Sequence, residues 1–350
     1  MKIALLAPFE EPVPPEKYGG TELVVANIAA GLVEQGHTVH VLATGESKVA
    51  GNLIPLFPQA IRKDPLAQDA NVRNALKIMG TAFAVEELHK LDIDIIHNHL
   101  GWRFVPSARQ FPVPTITTLH GPLDIPYQQA IFNAFPEHAY VSISDAQRRP
   151  MPHLNFAATV YNGIDISKLE YSPTGGEYLA FLGRMSPEKG QRIAIEAAKK
   201  AGMKLKMAAK VDSVDKAYFT KEIEPLVDGD QIEFVGEIGP QEKSDFLRNA
   251  YALLAPIQWE EPFGLFMVEA LACGTPVIAR RRGSVPELIT HGVDGFIAET
   301  DEEVAQYISK IASINRSVCR ATAEKRFTVE AMTNRYLAVY ETVISQSKHQ

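Results

Sequence analysis

The run Ala252-Leu253-Leu254-Ala255-Pro256-Ile257-Gln258-Trp259-Glu260-Glu261-Pro262-Phe263-Gly264-Leu265-Phe266-Met267-Val268-Glu269-Ala270-Leu271-Ala272-Cys273-Gly274-Thr275-Pro276-Val277-Ile278-Ala279 passes from one short apolar block to another through a loop and a helical stretch. Residues Ala252–Pro256 read as a buried strand, Leu265–Cys273 as a helix and Pro276–Ala279 as the next strand. Strand, helix, strand in that order builds a parallel βαβ unit with a right-handed crossover. The same alternation continues upstream along the chain. Upstream, Leu179–Leu182, Leu205–Ala209 and Ile232–Val235 are further strands, separated by helical patterns at Ile193–Lys200 and Gln241–Asn249.

The first half follows the same alternation. Strands are expected at Ile3–Ala7, Val39–Ala43, Ile93–His97, Thr115–Leu119, Tyr140–Ile143 and Thr159–Tyr161, with helices at Thr21–Gln35 and Val72–Leu88. Gly163–Glu177 holds Pro173, Thr174, Gly175 and Gly176 without apolar periodicity and is read as the linker. The expected architecture is α/β, two doubly wound domains facing a central cleft, with ligands at the carboxyl ends of the strands.

Composition narrows the function. The chain has 350 residues, and its 46% hydrophobic content is ample for packed cores, which excludes a disordered or fibrous protein. Its formal net charge of −7 provides no global positive field for nucleic acid or anionic lipid. Two cysteines, Cys273 and Cys319, supply neither a disulfide framework nor a thiolate metal cluster. The apolar run after Met1-Lys2 is too short for a secretory leader, and no stretch reaches the ~18 apolar residues of a membrane span. A cytoplasmic location without stable membrane insertion is expected.

The chemistry concentrates at strand ends. Gly264 lets a backbone approach closely, and the helix start behind it offers N–H groups to an anion. Glu269 lies roughly 8 Å further along that helix, at ~1.5 Å per residue, so Glu261 and Glu269 can address opposite ends of an elongated phosphate-bridged ligand. Glu269 also sits in a run too apolar for a solvated face, and a buried carboxylate needs partners. In Phe181-Leu182-Gly183-Arg184-Met185-Ser186-Pro187-Glu188-Lys189-Gly190, two cations five residues apart on a strand-end turn suit a diphosphate, although a Walker loop is not met.

Gly19-Gly20 precedes the first helix, either as a phosphate-approach loop or as a turn, and a dinucleotide fingerprint is absent. His120 falls at a strand's carboxyl end. His97 and His99 share one side of a strand, but no third ligand stands at metal spacing, so a structural or cleft-lining role is preferred and no metal site is assigned. The Asp-x-Asp at Asp92-Ile93-Asp94 flanks the start of a strand, opposite its ligand-binding end.

Gly183-Arg184 through Lys189-Gly190, Glu261-Pro262-Phe263-Gly264 with Glu269, Ala272 through Ile278, Gly283 through Glu287 and His291 through Gly295 together resemble the retaining glycosyltransferases of family 4, which have the GT-B fold. Tyr18-Gly19-Gly20-Thr21-Glu22, Ile95-Ile96-His97 and Leu119-His120-Gly121 extend the resemblance to the first half. It implies two Rossmann-like domains: 1–165 on the acceptor side, 166–330 binding a nucleotide sugar, and a helix in 331–350 that crosses back.

The resemblance further implies that Glu261 contacts the donor sugar, Glu269 the ribose, Arg184 and Lys189 the diphosphate, and His120 the transferred sugar. By the same resemblance the base is expected to meet the backbone at the strand end Val235-Gly236-Glu237-Ile238, with Gly236 and Glu237 as the candidates. Gly19, Gly20, Phe263, Gly264 and Leu265 are expected to complete the donor contacts, with Glu260 a lesser candidate beside Glu261. The implied reaction moves a hexose from a UDP- or GDP-sugar to a hydroxyl with retention and without metal or cofactor. The acceptor is left open among small molecules, glycans and lipid-linked hydroxyls, with Val49–Asp69 and Leu123–Phe135 as acceptor loops. A nucleotide-sugar epimerase, a sugar phosphorylase or a non-catalytic binder are the alternatives.

Overall fold

The structure is a computed structural model that describes residues 1–17 and 19–347. Tyr18, part of the motif above, lies outside the described residues. The chain divides into two compact units, one formed by Met1–Gly163 with Val329–Gln350 and the other by Ile164–Thr328.

The first unit is built on a seven-stranded sheet of β1 (Lys2–Leu6), β2 (Thr38–Thr44), β3 (Asn52–Phe57), β4 (Ile95–Asn98), β5 (Thr115–Thr118), β6 (Ala139–Ser142) and β7 (Phe156–Thr159). The order is β3-β2-β1-β4-β5-β6-β7, and all pairs are parallel. The second unit carries β8 (Tyr178–Arg184), β9 (Lys204–Lys210), β10 (Ile232–Gly236), β11 (Ala250–Ala255), β12 (Val277–Arg280) and β13 (Gly295–Ala298) in the order β10-β9-β8-β11-β12-β13, again all parallel. In each sheet the chain winds outward from the middle and then returns to the other side. The winding reverses between β1 and β4 in one unit and between β8 and β11 in the other, which is where doubly wound sheets bind ligands.

Fully buried strands of Ile, Leu, Val and Ala dominate both centres, as helices on both faces of a parallel sheet require. Helix Gln191–Ala201 shows the rule locally. It buries Ala194, Ile195, Ala197 and Ala198, carries Lys199 and Lys200 in its last turn, and stops at Gly202 in the left-handed conformation.

Two strands escape the sequence reading, and one is displaced. Asn52–Phe57 is an edge strand inside the stretch read as a loop; Pro55 interrupts its apolar pattern, which an edge position tolerates. Gly295–Ala298 is four residues long and also at an edge. The last strand of the first sheet is Phe156–Thr159, ending where the apolar Val160-Tyr161 pair led it to be expected.

The terminal helix, Val329–Ser347, packs in the first unit against helix Gly20–Glu34. A Cβ on Gly31 would lie 2.2 Å from Thr333 Oγ1, so close approach of the two backbones requires glycine there. Tyr336 and Tyr340 of the terminal helix are fully buried in this unit. Among the described residues, no helix is long and apolar enough to cross a membrane.

Candidate active site

In the second unit, β8 and β11 lie side by side, so the loops leaving them meet. Lys189, from the loop after β8, donates to the Glu261 carboxylate, from the loop after β11. Trp259 Nε1 donates to the same Glu261 oxygen at 3.0 Å, and the Lys189 ammonium lies 5.1 Å from the Trp259 ring and 5.5 Å from that of Phe266. The two charged side chains are only 14% and 9% exposed, so each offsets the desolvation of the other.

Backbone geometry holds this pair in place. Gly190 has φ 80°, and a Cβ there would sit 2.1 Å from the Pro256 carbonyl oxygen. Gly283, at φ 52°, lies so close to Glu261 that a Cβ would come within 2.2 Å of its carbonyl oxygen. The Glu261 carbonyl accepts from Ser284 N at 3.0 Å, while Ser284 Oγ donates to the Phe263 carbonyl at 2.6 Å. These contacts separate the two adjacent acids. Glu260 turns away and accepts from Gly283 N at 2.8 Å, leaving Glu261 as the acid beside Lys189.

Glu269 lies inside helix Leu265–Ala272 and is 5% exposed. Its partner is Lys243, 2.7 Å away on helix Pro240–Arg248. The sequence reading missed Lys243; the signal available was that a carboxylate in so apolar a run needs a cation. Gly264, at φ 84°, starts the Glu269 helix without a side-chain cap, and Leu265 is half-buried. Phe263 differs from expectation. Its ring is 2% exposed and packs edge-on against Phe327 at 6.1 Å, so only its backbone is placed to meet a ligand.

Arg184 is engaged by Glu188, by Asp215 at 3.5 Å and by Ser186 Oγ at 3.3 Å. Arg184 and Lys189 thus attend different carboxylates. Gly236 ends β10 at φ 85° with open space where a Cβ would project, and Glu237 follows it, half-buried. The second unit therefore gathers Arg184, Lys189, Gly236, Glu237, Glu261, Phe263, Gly264, Leu265 and Glu269. Gly19, Gly20 and His120 belong to the first unit.

In the first unit, β4 and β5 are neighbours, which brings His99 and His120 together from just beyond their ends. His99 Nδ1 and His120 Nε2 are hydrogen bonded at 2.8 Å. His97 stacks near His99, with ring centroids 4.0 Å apart, and bonds Tyr340 Oη and Thr118 Oγ1, each at 2.7 Å. Tyr336 Oη bonds the same Thr118 hydroxyl at 3.0 Å. With both His97 nitrogens occupied by hydroxyls, the pair is a packed polar interior, as the structural reading of His97 holds. Gln147 steadies the His120 loop by donating to the Leu119 and Gly121 carbonyls at 2.8 and 2.7 Å.

Burial lowers the pKa of all three rings: His120 to about 4, and His97 and His99 well below the ordinary histidine value. They are neutral at neutral pH. Beside Gly19 and Gly20, Glu22 is 5% exposed, and burial, reinforced by the nearby Glu11 and Glu10 charges, lifts its pKa to about 7. Asp92-Ile93-Asp94 is elsewhere: Asp92 pairs with Lys2, and Asp94 accepts from Lys2 N at 2.7 Å.

The buried lysine–glutamate pair beside a glycine-started helix lies at the switch point of its sheet, where doubly wound folds bind their ligands. The model described as "Glycosyl transferases group 1" matches residues 165–326, and that described as "Glycosyltransferase Family 4" matches 18–168. Together they span most of the chain, which belongs to the group 1 glycosyltransferases of the GT-B fold.

A phosphatidyl-myo-inositol mannosyltransferase of Mycobacterium tuberculosis is 24% identical, with 98% of this chain and 97% of that protein covered. Among solved structures, a sucrose-phosphate synthase from Thermosynechococcus elongatus superposes with a TM-score of 0.77 at 16% identity, covering 99% and 100% of the two chains. The Anabaena protein HepE in complex with UDP-glucose gives 0.74 at 21% identity, covering 99% and 100%.

Proposed function

We propose that this glycosyltransferase is a retaining, metal-independent hexosyltransferase that takes its sugar from a nucleoside diphosphate carrying uridine or guanosine. The observation that carries the reading is the buried Lys189–Glu261 pair in the loops that precede helix Leu265–Ala272, whose start no side chain caps. A UDP-glucose complex of a structural neighbour supports a nucleotide-sugar donor.

In this reading Glu261 orients the sugar hydroxyls and Glu269 holds the ribose. Lys189, Arg184 and the amides beyond Gly264 meet the diphosphate. On binding, phosphate oxygens take the place of Glu188 and Asp215 around Arg184. Backbone at Gly236 and Glu237 meets the base, Gly19 and Gly20 leave room for the phosphates, and His120 meets the transferred sugar. The bond between the anomeric carbon and the phosphate oxygen breaks with its electron pair going to the leaving oxygen, where the cations stabilise the growing charge. The acceptor hydroxyl attacks the same face of the oxocarbenium-like carbon and gives its proton to the departing phosphate. No cofactor takes part. The acceptor is a hydroxyl of a small molecule, a glycan or a lipid-linked sugar, and the enzyme acts in the cytoplasm.

The test is a thermal-shift screen of UDP- and GDP-sugars, followed by mass spectrometry of products from cell extract and NMR of the new linkage. Stabilisation by a nucleotide sugar and a product with the donor's anomeric configuration are expected. An inverted product, or transfer abolished by EDTA and restored by Mg²⁺, overturns the reading.

A further inference from the structure

His99 is 4% exposed, and its Nε2 is buried with no hydrogen-bond partner among the described residues. Its Nδ1 is bonded to His120 Nε2, and His120 keeps part of its surface open. A neutral imidazole carries one N–H and one bare nitrogen, so two arrangements are available.

If His120 Nε2–H donates, His99 Nδ1 accepts and His99 must carry its proton on Nε2. That places an orphaned N–H in the interior, the rarer and costlier defect. If His99 Nδ1–H donates, the buried Nε2 is a bare acceptor and His120 must carry its proton on Nδ1. A doubly protonated His99 is excluded by its surroundings: the ring is buried against His97 and His120, and among the described residues no carboxylate pairs with it.

We infer that His99 is a positioning residue that holds His120 as the Nδ1–H tautomer, so that His120 presents a hydrogen-bond donor on its open side. The inference rests on the proposed function only for what that donor meets. A sugar hydroxyl or ring oxygen there accepts from Nδ1–H, and the imidazole polarises it without titrating. The neutrality of both rings follows from their burial. His97 is held separately by Tyr340 and Thr118 and leaves His99 free to serve His120.

The experiment is two-bond ¹H–¹⁵N correlation NMR of the ¹⁵N-histidine-labelled full chain at neutral pH, with His120 assigned by loss of its signals in His120→Asn. A protonated Nδ1 and a pyridine-type Nε2 on His120 are expected in the ligand-free protein; the reverse pattern overturns the inference, and this measurement needs no His99 variant. In His99→Phe, His120 should revert to the Nε2–H form that free neutral imidazole favours. His99→Asn, which retains an N–H near the Nδ1 position, should keep Nδ1–H. A folded His99→Phe protein with an unchanged His120 pattern overturns the inference.

Transfer by His99→Phe should fall about 10²-fold in kcat, the scale of a misplaced catalytic group, with donor KM nearly unchanged. A shifted tautomer with unchanged kcat upholds the positioning role and instead removes His120 from the transferred sugar.

Discussion

The two units manage buried polarity in opposite ways. Around Glu261 and Glu269 in the second unit, charge is kept and paired, each carboxylate with one lysine from a neighbouring loop or helix. Around His97, His99 and His120 in the first unit, charge is suppressed, and the rings are held neutral by burial and tied to hydroxyls or to each other. Paired charges suit a ligand that carries its own charge and can displace one partner. Neutral donors and acceptors suit a ligand of hydroxyls, because no ion has to be stripped of its partner.

Removing half of the most buried pair gives the largest expected effect. Lys189→Met leaves Glu261 buried with only the Trp259 N–H and should cost about 3–5 kcal/mol in denaturant unfolding. If Lys189 meets the diphosphate, transfer should also drop by roughly 10²–10³. Adding Glu261→Gln should recover most of the stability while transfer stays low. A single variant as stable as the parent would break the contrast.

Lys243→Met is the next test. Glu269 loses its partner, and a stability loss of about 3 kcal/mol is expected. In the proposed reading donor KM rises more than kcat falls, since a ribose contact is similar in ground and transition states. A pure kcat loss would place Glu269 at the reacting sugar.

Glu22 sharpens the comparison, because it is an acid in the unit that suppresses charge. Its folded pKa of about 7 lies above the unfolded value, so the folded form binds more protons between them and stability is lost as pH rises through this range. Glu22→Gln should therefore gain roughly 1–3 kcal/mol at pH 8 and little at pH 4. Equal effects at both pH values would show that Glu22 is not held protonated by burial.

The histidines carry the opposite sign. Burial lowers the His138 pKa to about 4, so its contribution is fully present above the ordinary histidine pKa and is lost as pH falls below it. Replacing it by Phe should flatten the acid limb of the stability curve by about 1 kcal/mol per pH unit. An unaltered slope, whatever the change in absolute stability, would count against neutral burial of that ring.

Much of this was readable from local pattern. The strands β8, β9, β11 and β12 announced themselves through short apolar blocks, because strands covered on both faces leave no polar side. That Glu269 is buried and needs a partner could be read from its apolar neighbours alone. The strands β3, β7 and β13 lie at sheet edges; β3 and β7 are incompletely buried, and β7 and β13 are only four residues long, too short to show a period. Arg316 carried no signal at all, yet it is 8% exposed and donates to the carbonyls of Ser172, Arg248 and Ala250.

By itself, the sequence determined the parallel βαβ build and the strand-end loops that hold Arg184, Lys189, Glu261 and His120, because period and connection length act over a few residues. Tertiary structure decided which partners those residues meet. Lys189 reaches Glu261 across 72 positions because β8 and β11 become neighbours at the switch point, and His97 reaches Tyr340 across 243 because the last helix docks in the first unit. It also decided the neighbour of His120 Nε2, since the tautomer of His120 is set by the N–H that His99 donates, and that pairing exists only once β4 and β5 lie side by side.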